Sequence, residues 1–400
     1  MRLENNMITV VGAGIGGLAI AILLRQAGAS VRVLEQAEAI SEVGAGLQIS
    51  PNGVAVLRAM GVLDDLAWNA TRARAVVLRR HRKGREVVRL DLDQYASDLR
   101  YYFVHRADLV ELLAAKARDV GVQIRLLQRV DRVDPSGAPK LYLANGSCCH
   151  GDLVIGADGV RSRLRDAING VQEPFFTGQV AWRALVPNRL KLENEAQLFM
   201  GPGRHLVAYP LRDGSLINLV AVQEQRTWVE ESWSLKDDPD NLRRAFANFG
   251  GTAHELLSDV QEVGFWGLFR HNVAEKWHAG RLVLIGDAAH PTLPFMAQGA
   301  NMALEDAYVL ADSLTRAETL EGALTRYQSR RRERVSKVVD TANGNAWRYH
   351  LRPPISWPAH LLMRAMSQWA PQKMVGQFDW IYRHDVTEGQ GLQGARSDAH

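Results

Sequence analysis

Ile8-Thr9-Val10-Val11-Gly12-Ala13-Gly14-Ile15-Gly16-Gly17-Leu18-Ala19-Ile20 is the stretch that decides the fold of this chain. Four strand-forming residues run into G-x-G-x-x-G at 12, 14 and 17, and the apolar run Leu18–Leu24 continues as a helix ended near Gly28. Val31–Leu34 reads as a second strand with Glu35 at its end. Each part has a physical task. Gly12 permits the tight turn, Gly14 lets the backbone approach a pyrophosphate, and Gly17 lets helix and strand pack closely. The helix N-terminus offers free N–H groups and a positive dipole end to the phosphates. Glu35 accepts from a ribose hydroxyl and repels a 2′-phosphate, which points to FAD or NAD rather than NADP as the bound dinucleotide.

Outward from this stretch, the chain has 400 residues, 46% hydrophobic and 23% charged, which is ordinary globular usage and excludes a disordered or fibrous protein. At roughly 150 residues per domain the length predicts two or three domains. Lys and Arg number 48 against 44 Asp and Glu, a net +4 with interspersed signs, so no nucleic-acid partner is called for. The two cysteines, Cys148 and Cys149, are adjacent and unsuited to a disulfide, which favours a reducing, cytoplasmic setting. Met7–Leu24 is uncharged and superficially like a signal segment, but glycines at 12, 14, 16 and 17 weaken a membrane helix, and no membrane association is expected.

Two further boxes lie far downstream. Asp152–Ile155 runs into Gly156-Ala157-Asp158-Gly159, and Leu282–Ile285 runs into Gly286-Asp287-Ala288-Ala289-His290-Pro291. One glycine fingerprint suffices for an NAD dehydrogenase, so three boxes imply a cofactor contacted along a longer body. GAGIGG at 12–17, His105-Arg106-Ala107-Asp108-Leu109, GADGVRS at 156–162 and GDAAHP at 286–291 together resemble the single-component FAD-dependent aromatic hydroxylases. Gly44–Asn52 and Asp379–Asp385 look most like the salicylate and 3-hydroxybenzoate hydroxylase branch.

The resemblance implies a role for each matching residue. Gly12, Gly14 and Gly17 would hold the FAD pyrophosphate, Glu35 the adenosine ribose, and Arg106 the phosphate and ribityl region. Asp158 would serve FAD and the incoming nicotinamide nucleotide, and Asp287 a ribityl hydroxyl. Pro294 and the Gly299-Ala300-Asn301 backbone would lie beside the flavin ring and the oxygen site. Where the family has Gly-Gln-Gly, this chain has Ala297-Gln298-Gly299, so a positive φ at 297 would carry strain. The implied reaction is hydroxylation of a phenolic aromatic acid with NADH or NADPH and O₂, through a flavin hydroperoxide. A hydroxypyridine carboxylate, quinolone or purine-like ring is the alternative substrate.

Residues 173–270 have a different texture, with strand-like runs at 179–186 and 216–222 separated by turn signals. They predict an antiparallel sheet with a covering helix near Leu242–Phe249, joined by the alternating residues 71–100. His205 and Tyr209 are four apart on one such strand and therefore share a face; the resemblance makes them the reactive pair, with Arg183 and Gln48 as further substrate contacts. Other features invite plainer readings. Arg79–Arg85 reads as a solvated hairpin turn, Arg330–Arg334 as a solvated helix face, and Asp108 with Glu111 as a capping box. His290 has no second His or Cys at ligand spacing, so no metal is expected. The expected architecture is an α/β, Rossmann-like FAD domain (1–70, 101–172 and 279–385, with C-terminal helices) carrying an inserted antiparallel substrate domain (71–100 and 173–278). Residues 386–400 read as a loose tail, and the assembly as a monomer or homodimer.

Overall fold

The computed structural model describes residues 3–4, 6–40, 46–225, 227 and 235–388. Part of the Gly44–Asn52 motif and most of the expected tail therefore lie outside the described residues. A six-stranded sheet orders His278–Ala279, Leu282–Leu284, Leu153–Gly156, Met7–Val11, Ser30–Leu34 and Gln123–Arg125 side by side. All neighbours are parallel except the first pair. The strand of each box thus lies next to the strand of another, and all three boxes leave the sheet at the same edge. Strands covered on both faces read as continuous apolar runs, which is why these were legible. Helix Ile15–Gln26 buries nine residues and packs against helix Gly299–Arg316.

The second sheet has eight strands, in the order Lys236–Asp237, Val263–Arg270, Phe175–Pro187, Leu216–Glu224, Arg204–Leu211, Glu195–Gly201, Ala75–Arg80 and Glu86–Asp91. Its pairs are antiparallel except Glu195–Gly201 with Ala75–Arg80. The side-chain period of two divides its faces. Trp182, Phe199, Leu206 and Ala221 pack beneath Leu242, Phe246, Phe249 and Leu256. Their neighbours Arg183, Met200, His205, Val220 and Val222 face a cavity on the other side.

Several expectations change. The covering element is two short helices, Pro239–Ala245 and Thr252–Ser258, the first capped by the Asp238 carboxylate accepting from the Asp240 N–H. Thr71–Arg72 pairs with Tyr102–Phe103 rather than joining the large sheet. The C-terminal helices Ser356–Trp369 and Pro371–Gly376 lie on strand Glu86–Asp91, not on the FAD layer, because Met363 and Met374 bury against Val87, Val88, Leu198 and Met200. Helix Arg106–Asp119 begins at Arg106 with His105 as its N-cap, so Asp108 is not the cap; its carboxylate instead receives two N–H groups of Arg212, at 2.7 and 3.1 Å. Among the described residues no helix is long and apolar enough to cross a membrane.

Candidate active site

The glycine loop is tight on one side and open on the other. A Cβ on Gly12, whose φ is +102°, would sit 2.4 Å from the Ala157 carbonyl oxygen, and one on Gly17 would sit 2.0 Å from the Gly12 carbonyl oxygen. At Gly14 nothing lies within 4 Å, so the backbone there faces open space, as a pyrophosphate requires. Glu35 ends strand Ser30–Leu34, and its carboxylate accepts from the backbone N–H groups of Ala13 (2.7 Å) and Ala37 (2.9 Å), holding the loop in place. Asp158 accepts from the Arg163 N–H at 2.8 Å through one oxygen; its other oxygen is buried and has no hydrogen-bond partner among the described residues. Burial raises its pKa.

A cavity of about 810 Å³ opens between the two sheets. It brings together Gly14, Gln48, Arg106, Arg183, His205, Tyr209, Asp287, Pro294, Gly299 and Ala300 from positions up to 286 residues apart. Asp287 lies deep in the fold, yet its carboxylate is solvent-accessible because it opens into this cavity. Burial pushes its pKa up, while Arg106 and His290 oppose. Burial likewise lowers the pKa of Arg106, against the charge of Asp287. The residues present thus fit FAD: an open phosphate cradle, an unsatisfied carboxylate oxygen on Asp158, and Arg106 and Asp287 on the cavity wall. Asn301 does not line the cavity. Its amide ties Ser50, Gln48 and Ala297 together through bonds of 2.9 to 3.0 Å. Ala297 adopts φ +52°, ψ +33°, the left-handed conformation in which an L side chain is strained.

On the sheet side, Arg183 stands over the Trp266 ring at 5.1 Å. Burial, with repulsion from Arg106, lowers its pKa to about 10 although Tyr209 opposes. Tyr209 packs against Phe103, and burial raises its pKa despite Arg183 and a bond to Gln48. Gln48 also accepts from the Tyr101 hydroxyl at 2.8 Å. His205 is buried, with its Nδ1 2.8 Å from Nε2 of His350. Burial, then His350, lowers its pKa well below the usual histidine range. His205 and Tyr209 share the cavity face, but four residues of strand set them roughly 13 Å apart, so they flank a ring rather than touch the same atom of it.

Behind the cavity lies a network absent from the expectations. Arg331 is fully buried, bonded to Glu305 and, at 2.7 Å, to Asp306. Arg334 holds both Glu305 oxygens at 2.8 and 2.9 Å, and Arg330 bonds Asp312 at 2.7 Å. Within the run 330–334, Arg330, Arg331 and Arg334 therefore reach three buried carboxylates on helix Gly299–Arg316, while Arg332 and Glu333 are exposed as a solvated face requires. Those acids, set in an otherwise apolar helix, were the available signal. Asp306 also receives the Gly286 N–H at 2.9 Å and His290 Nε2 at 2.5 Å, which fixes the Gly-Asp turn; Asn52 bonds Glu305 at 2.6 Å. Burial works to raise both acids, but Arg331 with Arg334 for Glu305, and His290 with Arg331 for Asp306, outweigh it and hold each near 2. Among the described residues no cluster of three or more His, Cys, Asp or Glu could bind a metal ion.

Residues 6–342 match the family described as FAD binding domain. The chain is 37% identical over 357 residues to the 3-amino-4-hydroxybenzoate 2-monooxygenase of Streptomyces cremeus, covering 86% of this chain and 88% of that one. It is 35% identical over 352 residues to the 6-hydroxynicotinate 3-monooxygenase of Bordetella bronchiseptica, covering 85% and 91%. A salicylate hydroxylase solved with its substrate superimposes with a TM-score of 0.79 at 25% identity, covering 96% and 97%.

Proposed function

This chain belongs to the family of FAD-dependent aromatic-ring monooxygenases, and from that premise we propose that its substrate is a phenolic aromatic acid of salicylate or hydroxybenzoate type, hydroxylated with NAD(P)H and O₂. Bound FAD supplies the hydride-accepting and oxygen-activating chemistry. Gly12, Gly14 and Gly17 would hold its pyrophosphate, Glu35 and Asp158 its nucleotide side, and Arg106 and Asp287 the stretch between phosphate and ring. Pro294, Gly299 and Ala300 would lie beside the ring itself.

The observation that carries the substrate class is Arg183. A guanidinium in a cavity wall, with its pKa lowered to about 10 by burial and a second cation nearby, is stabilised by an anionic ligand. A carboxylate matches its two-pronged geometry. The surrounding wall of Val220, Val222, Val207 and Leu293 suits an aromatic ring. Gln48 and Tyr209 orient its polar substituents. A phenol titrates near about 10, so ionising it at neutral pH costs about 3 units, or roughly 4 kcal/mol. His205, kept neutral by burial, accepts that proton and raises the ring's electron density where oxygen is to be added. The likeness to the Bordetella enzyme favours a hydroxypyridine carboxylate as the second reading, which the same cation would hold.

The test is a panel of hydroxybenzoates, hydroxypyridine carboxylates and their uncharged amides, scored for stimulated NADH and NADPH oxidation and for product. Acids are expected to turn over and amides to fail. Arg183→Gln should raise KM for the acid about ten- to a hundredfold. Equal turnover of acid and amide sinks the reading. We further propose a cytoplasmic monomer or homodimer, supported by the unbonded Cys148 and Cys149 and checked by sedimentation.

A further inference from the structure

His205 does not end the polar path at the cavity. Its Nδ1 meets His350 Nε2 at 2.8 Å, and His350 Nδ1 lies 3.1 Å from Glu224 Oε1. The other Glu224 oxygen accepts from Arg352 at 2.7 Å. Burial changes sharply along this line: the two imidazoles are buried, while the Glu224 side chain is 41% exposed. Three separate elements supply it. His205 sits on strand Arg204–Leu211, Glu224 ends the adjacent strand Leu216–Glu224, and His350 follows helix Leu320–Tyr349 with its carbonyl receiving the Gly203 N–H.

We propose that His350 and Glu224 are positioning residues that carry the substrate's phenolic proton from His205 to solvent. The proposal rests on the reading of His205 as the base. The tautomers follow from one constraint: a carboxylate only accepts. Glu224 therefore takes N–H from His350 Nδ1, which leaves His350 Nε2 as an acceptor. His205 Nδ1 must then carry hydrogen and donate to it, so the lone pair of His205 is on Nε2, on a side chain that lines the cavity. One concerted shift balances. The phenol O–H bond breaks as an N–H bond forms at His205 Nε2. The Nδ1 proton of His205 passes to His350 Nε2, and the Nδ1 proton of His350 passes to Glu224 Oε1, from which water removes it. The substrate keeps the electron pair as phenolate.

The surroundings suit passage rather than storage of a proton. His205 faces the rings of Phe295 and Tyr349 and the imidazole of His350. His350 faces Glu224 together with the cations Arg352 and Arg204. Burial disfavours imidazolium at both histidines, and Glu224 supplies negative charge beside His350. A buried base without an exit would have to become imidazolium, which burial disfavours, whereas the shift keeps both imidazoles neutral.

The test uses the FAD-loaded enzyme without NADH and 4-hydroxy-3-nitrobenzoate, whose phenolate is coloured, mixed rapidly across a pH jump. Bound-probe ionisation is expected to slow at least about tenfold in Glu224→Gln and His350→Ala, with probe affinity unchanged within about threefold, and added imidazole should restore His350→Ala. If both variants ionise the probe at the wild-type rate while His205→Gln does not, the relay is overturned and the base survives. If all three match wild type, the base reading fails instead. Slowing in His350→Ala alone, without rescue by imidazole, marks a packing role and also overturns the relay.

Discussion

Two buried polar regions flank the cavity between the sheets, and burial has opposite outcomes in them. In the network behind the pocket, Glu305 and Asp306 are driven to about 2, and Arg331 is driven up, toward the charged forms. On the sheet side of the cavity, Arg183 falls to about 10, His205 falls and Tyr209 rises, all toward the neutral forms. Burial penalises charge in both places. What differs is the surroundings: Glu305 meets Arg331, Arg334 and Asn52, whereas Arg183, His205 and Tyr209 border a cavity. A region whose charges are fully compensated holds the fold together. A region whose ionisable groups are pushed toward their neutral forms beside a cavity is where a functional site is expected.

The comparison breaks most visibly at Arg331. Arg331→Met removes the central cation and leaves two buried carboxylates short of a partner, which should cost about 3–5 kcal/mol. Urea denaturation and flavin content read this together; a change below about 1 kcal/mol, the range of surface ion pairs, would show that the network is not the compensated region described.

pH separates the regions without mutation. His205 has a depressed folded pKa, so the stability it contributes is present above the ordinary histidine value of 6.5 and is lost as pH falls below it. Glu305 and Asp306 also have depressed values; their contribution is present above about 4.5 and 3.8 and is lost as pH falls toward 2. Unfolding midpoints between pH 8 and pH 3 should therefore decline in two phases. His205→Gln should shrink the first phase, which His205 shares with other buried histidines such as His350, and leave the second intact; a single phase in the wild type would contradict the contrast.

Asp287 sits between the regions, buried in the fold but open to the cavity. Asp287→Ala should weaken FAD binding by roughly 1.5–3 kcal/mol, about ten- to a hundredfold, with little effect on the apoprotein's stability. Flavin fluorescence titration of the apoprotein measures the first and denaturation the second. Normal FAD affinity would place Asp287 with the structural network. The smallest effect belongs to Ala297, whose φ of +52° costs an L residue about 1 kcal/mol. Ala297→Gly should raise stability by about that amount or slightly less while FAD is retained, since glycine loses more freedom on folding. No gain would mean that the cavity wall relaxes the strain.

Much of this was legible in the sequence because it is local. The strand Met7–Val11, its glycine turn and helix Ile15–Gln26 occupy one short segment, and the strands of the other two boxes are apolar on both faces. Gly12, Gly14 and Gly17 follow from backbone geometry, and the shared face of His205 and Tyr209 follows from the strand period. In the Arg330–Arg334 run, Arg332 and Glu333 are exposed as read, but Arg330, Arg331 and Arg334 were misread because a cluster of cations looks solvated until its counter-charges, 18 to 29 residues earlier on another helix, are placed against it. His350 gave no signal at all. It reaches His205 across 145 residues, and only the packing of helix Leu320–Tyr349 beside the sheet creates that contact.

The sequence by itself therefore determined the cofactor fold, the three boxes that leave one sheet edge and the shared face of His205 and Tyr209. Their signals are periods and turns, which short-range sterics impose. Tertiary structure alone decided which charges are compensated and which face a cavity. That depends on strand order, register and helix placement, and the distance between two side chains in space has no fixed relation to their spacing along the chain.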